Sequence, residues 1–204
     1  TPQHLAARIL KEGQRRMIDV GRIEFSEGGR HGNTAALYFV NIASFGLGGL
    51  VDRIVNRSSK ALGGKASFFL GTMRALMQYH NKLVRVVFDG DENDFIETRI
   101  SNVAVANGQF FGGGMHIAPA AEVDDGKFDV VVLGDLSRRE VVFSSRRVYA
   151  GTHVSMEKVT VRRAQSVTAV AVDPDDEVLL DVDGEAPGAL PATFTLHSRV
   201  LPVI

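Results

Sequence analysis

Alternation of apolar and polar residues predicts β-strands over most of this chain. Ile18–Phe25 and Ala35–Ile42 are rich in β-branched and aromatic residues and flank the turn-rich segment SEGGRHGN, a pattern typical of a hairpin. Further strand-like runs from Lys82 onward are LVRVVF, FIETRISNVAVAN, FDVVVLG, MEKVTVRRA, SVTAVAV, EVLLDVDG and TFTLHSRV. Many strands with few helices predict a mainly β (α+β) fold, an antiparallel β-sandwich or open barrel with a few helical insertions, which spans residues 1–204 as one domain.

Three segments have helical spacing instead. The first begins at Thr1-Pro2 and ends at Gly13, with its apolar residues on one face. The second is a helical insertion that follows Ser44. Its apolar residues at helical spacing include Phe69, Met73, Leu76 and Met77. The third begins at Ser137, where Ser137 and Glu140 form a capping box, and runs to about Tyr149.

Composition and charge exclude several classes of protein. The 23 Lys and Arg residues nearly balance the 24 Asp and Glu residues, so the net charge of -1 gives no overall attraction to nucleic acid, and any membrane contact has to be local. The absence of cysteine excludes disulfides, thiolate metal sites and a cysteine nucleophile. No run approaches the roughly 18 to 20 apolar residues that span a bilayer. We therefore expect a soluble, cytoplasmic protein without a nucleic-acid partner.

Two common catalytic patterns are missing from the sequence. The six histidines are scattered without HExxH spacing, which argues against a zinc hydrolase, and the serine-hydrolase pattern GxSxG is absent. The glycine cluster Phe45–Leu50 approaches a dinucleotide-binding fingerprint, but Val51 stands where the third glycine belongs. Two interpretations of this cluster stay open, a phosphate cradle and a tight turn from strand to helix.

A glycine-rich segment follows one of the predicted buried strands. Val103–Ala106 runs into Asn107, two aromatic residues and then Gly112–Gly114. Glycine lets a ligand approach the backbone closely and costs conformational entropy, which favours a functional loop. A wide loop at a sheet edge is the alternative.

Two acidic turns are candidates for chemistry. Glu122–Asp129 places carboxylates around a glycine, and carboxylate oxygens, backbone carbonyls and water are the ligands that Mg2+ takes. Asp183 and Glu185 lie at the end of an apolar strand, where a carboxylate can act as general base toward a hydroxyl. Asp89-Gly90-Asp91 has nearly the same form, so an ordinary Asp-Gly turn is the alternative for both segments.

Six short motifs, each present once, are distributed in order along nearly the whole chain. They are Ile18–Gly21, Asn41–Gly46, Val105–Gly108 with Gly112–Gly114, Pro119-Ala120, Asp125–Asp129 and Asp183–Glu185. Their order and spacing resemble the C-terminal half of the bacterial soluble lipid kinases, a group that includes diacylglycerol kinases and is related to sphingosine and ceramide kinases.

The resemblance implies phosphoryl transfer from ATP to a lipid hydroxyl, in a cleft between an N-terminal nucleotide-binding domain and this β-rich domain. It also implies that Mg2+ is held by the side chain of Asp125 together with the backbone carbonyls of Glu122 and Lys127. Cofactor binding maps onto Asn107 in the same way.

The catalytic base maps onto the Asp183–Glu185 turn, with Glu185 favoured as the proton acceptor and Asp183 as its close rival. The base would draw the proton from the attacking hydroxyl, while positioning and cationic stabilisation of the phosphate would supply most of the acceleration. The expected partners are a lipid substrate, a membrane surface contacted peripherally, and a second copy of the chain in a homodimer.

One departure from the family pattern concerns the nucleotide. The Gly-Gly-Asp-Gly-Thr-type loop of such kinases is absent, so we expect the chain alone to have negligible kinase activity. Two alternatives stay open. A kinase for a soluble hydroxyl compound, similar to NAD kinases, is disfavoured if Phe110, Phe111 and Met115 line an apolar pocket. A non-catalytic lipid-binding module is favoured if Asp183 and Glu185 merely cap a hairpin.

Overall fold

The structure, a computed structural model, describes residues 13–27, 33–57 and 64–204. The strands in this part of the chain are β1 (Arg16–Glu27), β2 (Asn33–Phe39), β3 (Ile42–Gly46), β4 (Lys82–Phe88), β5 (Asp91–Ile100), β6 (Asn102–Ala106), β7 (Phe110–Phe111), β8 (Met115–His116), β9 (Phe128–Leu133), β10 (Val159–Ala164), β11 (Ser166–Ala171), β12 (Leu180–Val182) and β13 (Ala189–Val203). The helices are α1 (Leu47–Arg57), α2 (Gly64–Gln78) and α3 (Arg138–Tyr149).

Two antiparallel sheets form the body of the molecule. The larger has the order β2-β1-β13-β11-β4-β5, the smaller has the order β10-β9-β6-β3-β12, and β7 and β8 form a separate hairpin. The inward side chains of the two sheets share one core, in which Phe45 stacks on Phe194 and Phe39 stacks on Phe128 with ring centroids 6.0 and 5.6 Å apart. This arrangement confirms the predicted antiparallel sandwich.

The middle strands of the smaller sheet, β9, β6 and β3, are buried on both faces, which explains why they have few polar positions; the edge strand β10 is mostly exposed. Its outer face carries Ile42, Ala104 and Val131, which pack against the segment 117–121 and against Val148 of α3 in a second core. All five residues of β3 and all five of β6 are buried. Strands covered on both faces are continuous apolar runs rather than alternating ones.

The structure confirms several predicted elements. β1 and β2 pair as an antiparallel hairpin, although residues 28–32 of its connection lie outside the described residues. The capping box is present at α3, where the Ser137 Oγ accepts the Glu140 N–H at 3.3 Å and Glu140 Oε2 accepts the Ser137 N–H at 2.8 Å. The helical insertion is α1 and α2. The N-terminal helix predicted up to Gly13 falls on residues 1–12, which are outside the described part.

Two predicted strands are wrong in extent. The run Ala35–Ile42 ends at Phe39, because the chain turns there into β3 of the other sheet. The run FIETRISNVAVAN is two strands, β5 and β6, which belong to different sheets. The break falls at Ser101, whose N–H donates to the carbonyls of Leu133 and Gly134 instead of extending either strand.

None of the helices in the described part of the chain is long and apolar enough to cross a membrane.

Candidate active site

A tight turn joins β12 to the segment before β13 and presents Asp183, Gly184 and Glu185. Asp183 and Gly184 have φ values of 50° and 90°, and Val182 and Glu185 exchange two backbone hydrogen bonds of 2.8 and 3.0 Å. Positive φ at both central residues is the conformation that Asp-Gly pairs adopt in two-residue hairpins. The predicted acidic turn is therefore also a hairpin turn, and its chemistry depends on its surroundings.

The carboxylate of Asp183 is hydrogen-bonded to the neighbouring turn between β2 and β3. Its Oδ2 accepts the Val40 N–H at 2.9 Å, and its Oδ1 accepts the N–H groups of Asn41 and Ile42 at 3.2 and 2.9 Å. Its own N–H donates to the Ile42 carbonyl at 3.1 Å. With both carboxylate oxygens oriented by backbone amides, Asp183 fixes the position of the acidic turn.

Asp181 lies in β12, two residues before Asp183, and its carboxylate stabilises the same turn. This carboxylate is buried; Oδ1 accepts the Gly184 N–H at 2.9 Å and Oδ2 accepts the Ser44 hydroxyl at 3.1 Å. It is also hydrogen-bonded to Asp52, which α1 brings to the same place. The two carboxyl groups thus form a pair below the turn.

The pair retains a proton at neutral pH. Burial raises the pKa of Asp52 to about 8, and the neighbouring charges of Asp181 and Glu185 add to this effect. Burial also raises the pKa of Asp181, against the opposing hydrogen bonds from Asp52, Gly184 and Ser44. Two carboxyl groups in contact cannot both ionise readily, so they titrate as one unit.

Glu185 differs from the other three acids of this cluster. It is exposed, and its carboxylate makes no hydrogen bond or ion pair with another described residue. Asp183 and Asp181 hold the backbone on either side of it. A positioned backbone with an uncommitted carboxylate is the arrangement that a general base toward an external hydroxyl requires.

Asn107 lies behind the turn between β2 and β3 and is fully buried. Its Nδ2 donates to the carbonyls of Val40 and Asp19 at 2.7 and 3.0 Å, and its backbone N–H donates to the Asn41 carbonyl at 2.9 Å. Both amide protons are therefore used in tying β1 to this turn. Its Oδ1 has no partner among the described residues. The predicted contact between Asn107 and a cofactor stays a prediction.

Gly108 completes the Asn-Gly motif for a steric reason. A Cβ at this position would lie 2.3 Å from the Oδ1 of Asn41. The Gly108 N–H also donates to the Asn41 carbonyl at 2.9 Å. A side chain at this position would therefore force the Asn41 amide group to move.

The acidic turn at 122–129 is neutralised by arginines in this structure. Asp125 accepts the Lys127 N–H at 3.0 Å through Oδ1, and its Oδ2 is ion-paired with Arg163. Asp124 forms a two-bond ion pair with Arg16 at 2.6 and 2.8 Å. Among the residues that the structure describes, no group of three or more His, Cys, Asp or Glu side chains is placed to hold a metal ion.

The predicted magnesium ligands are compatible with the ion in chemistry, but the Asp125 carboxylate is already paired. The Asp125 carboxylate and the backbone carbonyls of Glu122 and Lys127 are hard oxygen donors on one tight turn, with Gly126 at φ 77°. Arg163 already supplies a positive charge to Asp125, so a cation that binds here has to compete with it.

Asp19 attaches this turn to the larger sheet. It lies at a bulge of β1, is fully buried, and accepts the N–H of Gly126 at 2.7 Å, the N–H of Arg199 at 2.6 Å and the Ser198 hydroxyl at 3.1 Å. Its own N–H donates to the Val123 carbonyl at 2.7 Å. The Ile18–Gly21 motif therefore has a structural function: Asp19 joins the acidic turn at 122–129 to β13.

The glycine cluster after Phe45 is a tight turn. The N–H groups of Leu47 and Gly48 donate to the Ser101 carbonyl and to the Asn102 Oδ1, at 2.9 and 2.8 Å, and so are not available to a phosphate. A Cβ at Gly49 would lie 2.5 Å from the Leu179 carbonyl oxygen. These contacts support the strand-to-helix interpretation over the phosphate cradle.

The aromatic segment after Asn107 forms the β7–β8 hairpin. Phe110 is half exposed and stacks on His116 with ring centroids 4.3 Å apart, while Phe111 and Met115 pack against the second core. The Phe110 carbonyl accepts the Asn41 side-chain N–H at 2.9 Å, which joins this hairpin to the same turn that Asp183 holds.

Comparison with known proteins assigns the chain to a protein family. Residues 41–204 match the model of the YegS C-terminal NAD kinase beta sandwich-like domain. The chain belongs to this family.

Relatives of the YegS C-terminal family carry the names of lipid kinases. The chain is 27% identical over 199 residues to a protein named diacylglycerol kinase from Mycobacterium tuberculosis, covering 98% of this chain and 60% of the relative. A Bacillus subtilis protein of the same name is 25% identical with the same coverage. A Xanthomonas euvesicatoria protein named “Probable lipid kinase YegS-like” is 27% identical over 88% of this chain and 54% of the relative. The chain thus spans about three fifths of the length of these relatives.

Solved structures share the fold of this YegS C-terminal domain. A Bacillus anthracis structure superposes with a TM-score of 0.67 at 22% identity, covering 97% of this chain and 59% of that one. A second, named as a diacylglycerol kinase from the same organism, gives a TM-score of 0.57 at 16% identity, covering 97% and 56%.

Sequence reasoning missed Asp52, Asp181 and Ser44, three of the residues beneath the acidic turn. A signal for Asp181 existed, since it is the one charged residue within the apolar run Val178–Val182. No local pattern pointed to Asp52, because α1 is distant in sequence from β12 and meets it only through the packing of the YegS C-terminal fold.

Proposed function

We propose that this chain is the substrate-side domain of an ATP-dependent lipid kinase, which transfers the γ-phosphate of ATP to a lipid hydroxyl such as that of diacylglycerol. The names of its relatives support a lipid kinase. Because the chain covers about three fifths of those relatives, the proposal concerns the full-length protein. The observation that carries it is the uncommitted carboxylate of Glu185 on a turn held by Asp181 and Asp183.

Glu185 is the proposed base. Its carboxylate accepts the proton of the lipid hydroxyl as the hydroxyl oxygen attacks the γ-phosphorus, the bond between that phosphorus and the leaving oxygen breaks, and ADP leaves. Asp183 is a positioning residue, because both of its oxygens hold backbone amides. The Asp52–Asp181 pair retains a proton at neutral pH, which limits the negative charge beneath Glu185.

The remaining acceleration comes from placement of the reactants in the full-length enzyme. Holding the hydroxyl in line with the phosphate makes a bimolecular reaction effectively intramolecular, which lowers its entropic barrier. Asp125 and the backbone carbonyls of Glu122 and Lys127 would hold Mg2+, which would supply positive charge to stabilise the transferring phosphate. The reaction belongs at the cytoplasmic surface of a membrane, where ATP and the lipid meet.

Lipid phosphorylation by the full-length protein tests the base. Radiolabelled ATP and a lipid panel that includes diacylglycerol are supplied to wild type, to Glu185→Gln and to Glu157→Gln, which removes the same charge at another exposed position. We expect kcat to fall about a hundredfold or more in Glu185→Gln, with KM for the lipid little changed, and to stay at the wild-type value in Glu157→Gln. Full activity of a folded Glu185→Gln protein would move the base elsewhere.

A kinase for a soluble hydroxyl compound is the second candidate. The family description refers to NAD kinase, and Phe111 and Met115 are occupied in core packing. Supplying NAD in place of lipid separates the two: phosphate incorporation into NAD, with none into any lipid, would favour the soluble substrate. A protein that binds lipid but phosphorylates neither would favour the binding-module alternative.

A further inference from the structure

Helix α3 exposes an apolar surface that its own domain does not cover. Phe143 is 81% exposed, Val142 49% and Tyr149 53%, whereas Ser144 and Val148 are buried against the smaller sheet. Residues four apart on a helix share one face, so Ser144 and Val148 define the inner face. Val142 and Phe143 lie on the opposite, outer side.

The same outer side is strongly basic. The helix sequence RREVVFSSRRVY carries four arginines and one acid, Glu140, which is itself ion-paired with Lys158 at 2.8 Å. The guanidinium groups of Arg139, Arg146 and Arg147 have no hydrogen-bond or ion-pair partner among the described residues. Elsewhere in the described chain, arginines such as Arg16 and Arg163 are paired with carboxylates.

The apolar and basic positions alternate over the surface. Phe143 lies one helical turn from Arg139 on one side and from Arg146 and Arg147 on the other, and Val142 lies one turn from Arg146. A helix with aromatic and aliphatic residues between arginines suits the boundary between lipid headgroups and acyl chains. Arginine side chains there attract anionic headgroups, and the apolar side chains enter the layer below.

We propose that the outer side of α3 docks this protein on an anionic lipid bilayer. The net charge of the whole chain is -1, so the attraction is local to this helix rather than general. α3 packs against β8 of the β7–β8 hairpin, and the Asn41 side chain joins that hairpin to the turn held by Asp183. The inference rests on and deepens the proposed lipid-kinase function, because docking by α3 would hold the enzyme at the surface that contains its substrate.

Vesicle binding by the full-length protein tests the proposal directly. Sedimentation with phosphatidylcholine vesicles containing increasing fractions of phosphatidylglycerol measures the partition coefficient. We expect binding to rise with the anionic fraction and to fall with salt. The triple variant Arg139→Gln, Arg146→Gln, Arg147→Gln should bind about a hundredfold more weakly, at ~1 kcal/mol for each arginine. Phe143→Ser should bind about tenfold more weakly.

Matched controls separate this surface from general charge and hydrophobicity. Arg162→Gln and Phe95→Ser remove an exposed arginine and a 42% exposed aromatic residue from the sheet edges, and both should bind vesicles as wild type does. Triple-variant binding equal to wild type would overturn the proposal. So would equal loss in the controls.

A second measurement distinguishes failure of docking from failure of the proposed kinase function. Phosphorylation of a short-chain diacylglycerol dispersed as monomers needs the active site but no bilayer. We expect the α3 variants to keep wild-type activity on this substrate and to lose activity on vesicles. Loss of activity on the dispersed substrate together with a lower melting temperature would show that α3 packs against another part of the protein, which would also overturn membrane docking. Vesicle binding remains interpretable if no lipid is phosphorylated at all.

Discussion

The carboxylate of Asp183 and the side-chain amide of Asn107 bind the same turn of backbone, the first at its N–H groups and the second at a carbonyl. Asp183 accepts the N–H groups of Val40, Asn41 and Ile42, while Asn107 donates to the carbonyls of Val40 and Asn41 through its side chain and its backbone N–H. Two motifs that are distant in the sequence therefore stabilise the same turn and share Val40 and Asn41 as partners. The turn that carries Glu185 is fixed to the smaller sheet through this contact.

Asp183→Asn is expected to affect both stability and activity. Asparagine keeps the shape but replaces one acceptor oxygen by a donor that faces a backbone amide, which should cost about 1–2 kcal/mol in the free energy of unfolding. Asp89→Asn is the matched control, since Asp89 has φ 51° in an Asp-Gly turn and accepts the N–H groups of Gln165 and Ser166.

Denaturant unfolding and lipid phosphorylation of the two variants distinguish the roles. Similar losses of stability with a fall in kcat only for Asp183→Asn would assign a positioning role to Asp183. Equal activity in both variants would leave Asp183 with no role beyond capping.

Asn107→Ala is expected to destabilise the fold strongly. The change leaves the buried Asp19 carbonyl and the partly buried Val40 carbonyl without their side-chain donor, which should cost about 2–4 kcal/mol. Asn81→Ala is the control, because the half-buried Asn81 also makes two side-chain hydrogen bonds, to Asp135 and to the Leu136 carbonyl. Urea unfolding should show the larger loss for Asn107→Ala. A loss no greater than in Asn81→Ala would mean that water replaces these bonds.

Asp52→Asn should change how stability depends on pH. The pKa of Asp52 is raised from 3.8 to about 8 in the folded protein, so between these values the folded state binds more protons than the unfolded state. Stability from this protonated carboxyl is complete below pH 3.8 and is lost as pH rises through about 8. The free energy of unfolding should fall in this window by up to about 1.4 kcal/mol per pH unit.

Asparagine at position 52 removes the titration and should flatten this slope. Denaturant unfolding at a series of pH values measures it, with Asp175→Asn as an exposed control that leaves the slope unchanged. A wild-type slope retained in Asp52→Asn would show that the pair ionises normally.

Arg163→Gln should reveal whether the turn at 122–129 binds Mg2+. Removal of the guanidinium frees the Oδ2 of Asp125, so we expect Mg2+ to raise the melting temperature of this variant more than that of wild type. The response should disappear in the double variant with Asp125→Asn. Arg162→Gln, which loses a different ion pair on the same strand, controls for charge. A melting temperature of Arg163→Gln that Mg2+ does not change would exclude this turn as a magnesium site.

Local patterns predicted much of the fold but not where strands change sheets. The capping box at Ser137 and the β1–β2 hairpin depend on neighbouring residues, and both are present. The division of β5 from β6 depends on Ser101 and on its contacts with Leu133, which no local pattern records. Periodicity identifies strands, whereas sheet membership is decided by distant partners.

The candidate site shows the same limit. Asp183 and Glu185 could be predicted because they follow an apolar strand and belong to the series of motifs that resembles the lipid kinases. Asp52 was not, because an isolated acid on a helix is normally a solvated residue, and only burial against Asp181 gives it a perturbed pKa. The role of Asp183 as a cap was equally hidden, because its partners are the backbone amides of another turn.

Strand β13 comes last in chain order yet lies between β1 and β11 in the larger sheet, with Arg16 paired to Val203. Until β13 has been synthesised, the β1–β2 hairpin and the β11-β4-β5 portion each present an unpaired edge toward the missing strand. Assembly of this sheet therefore requires contacts between residues that are far apart in the sequence. Such contacts form slowly, and during that time the unpaired edges can pair with other chains. The position of this single strand therefore determines how long those edges stay unpaired during synthesis.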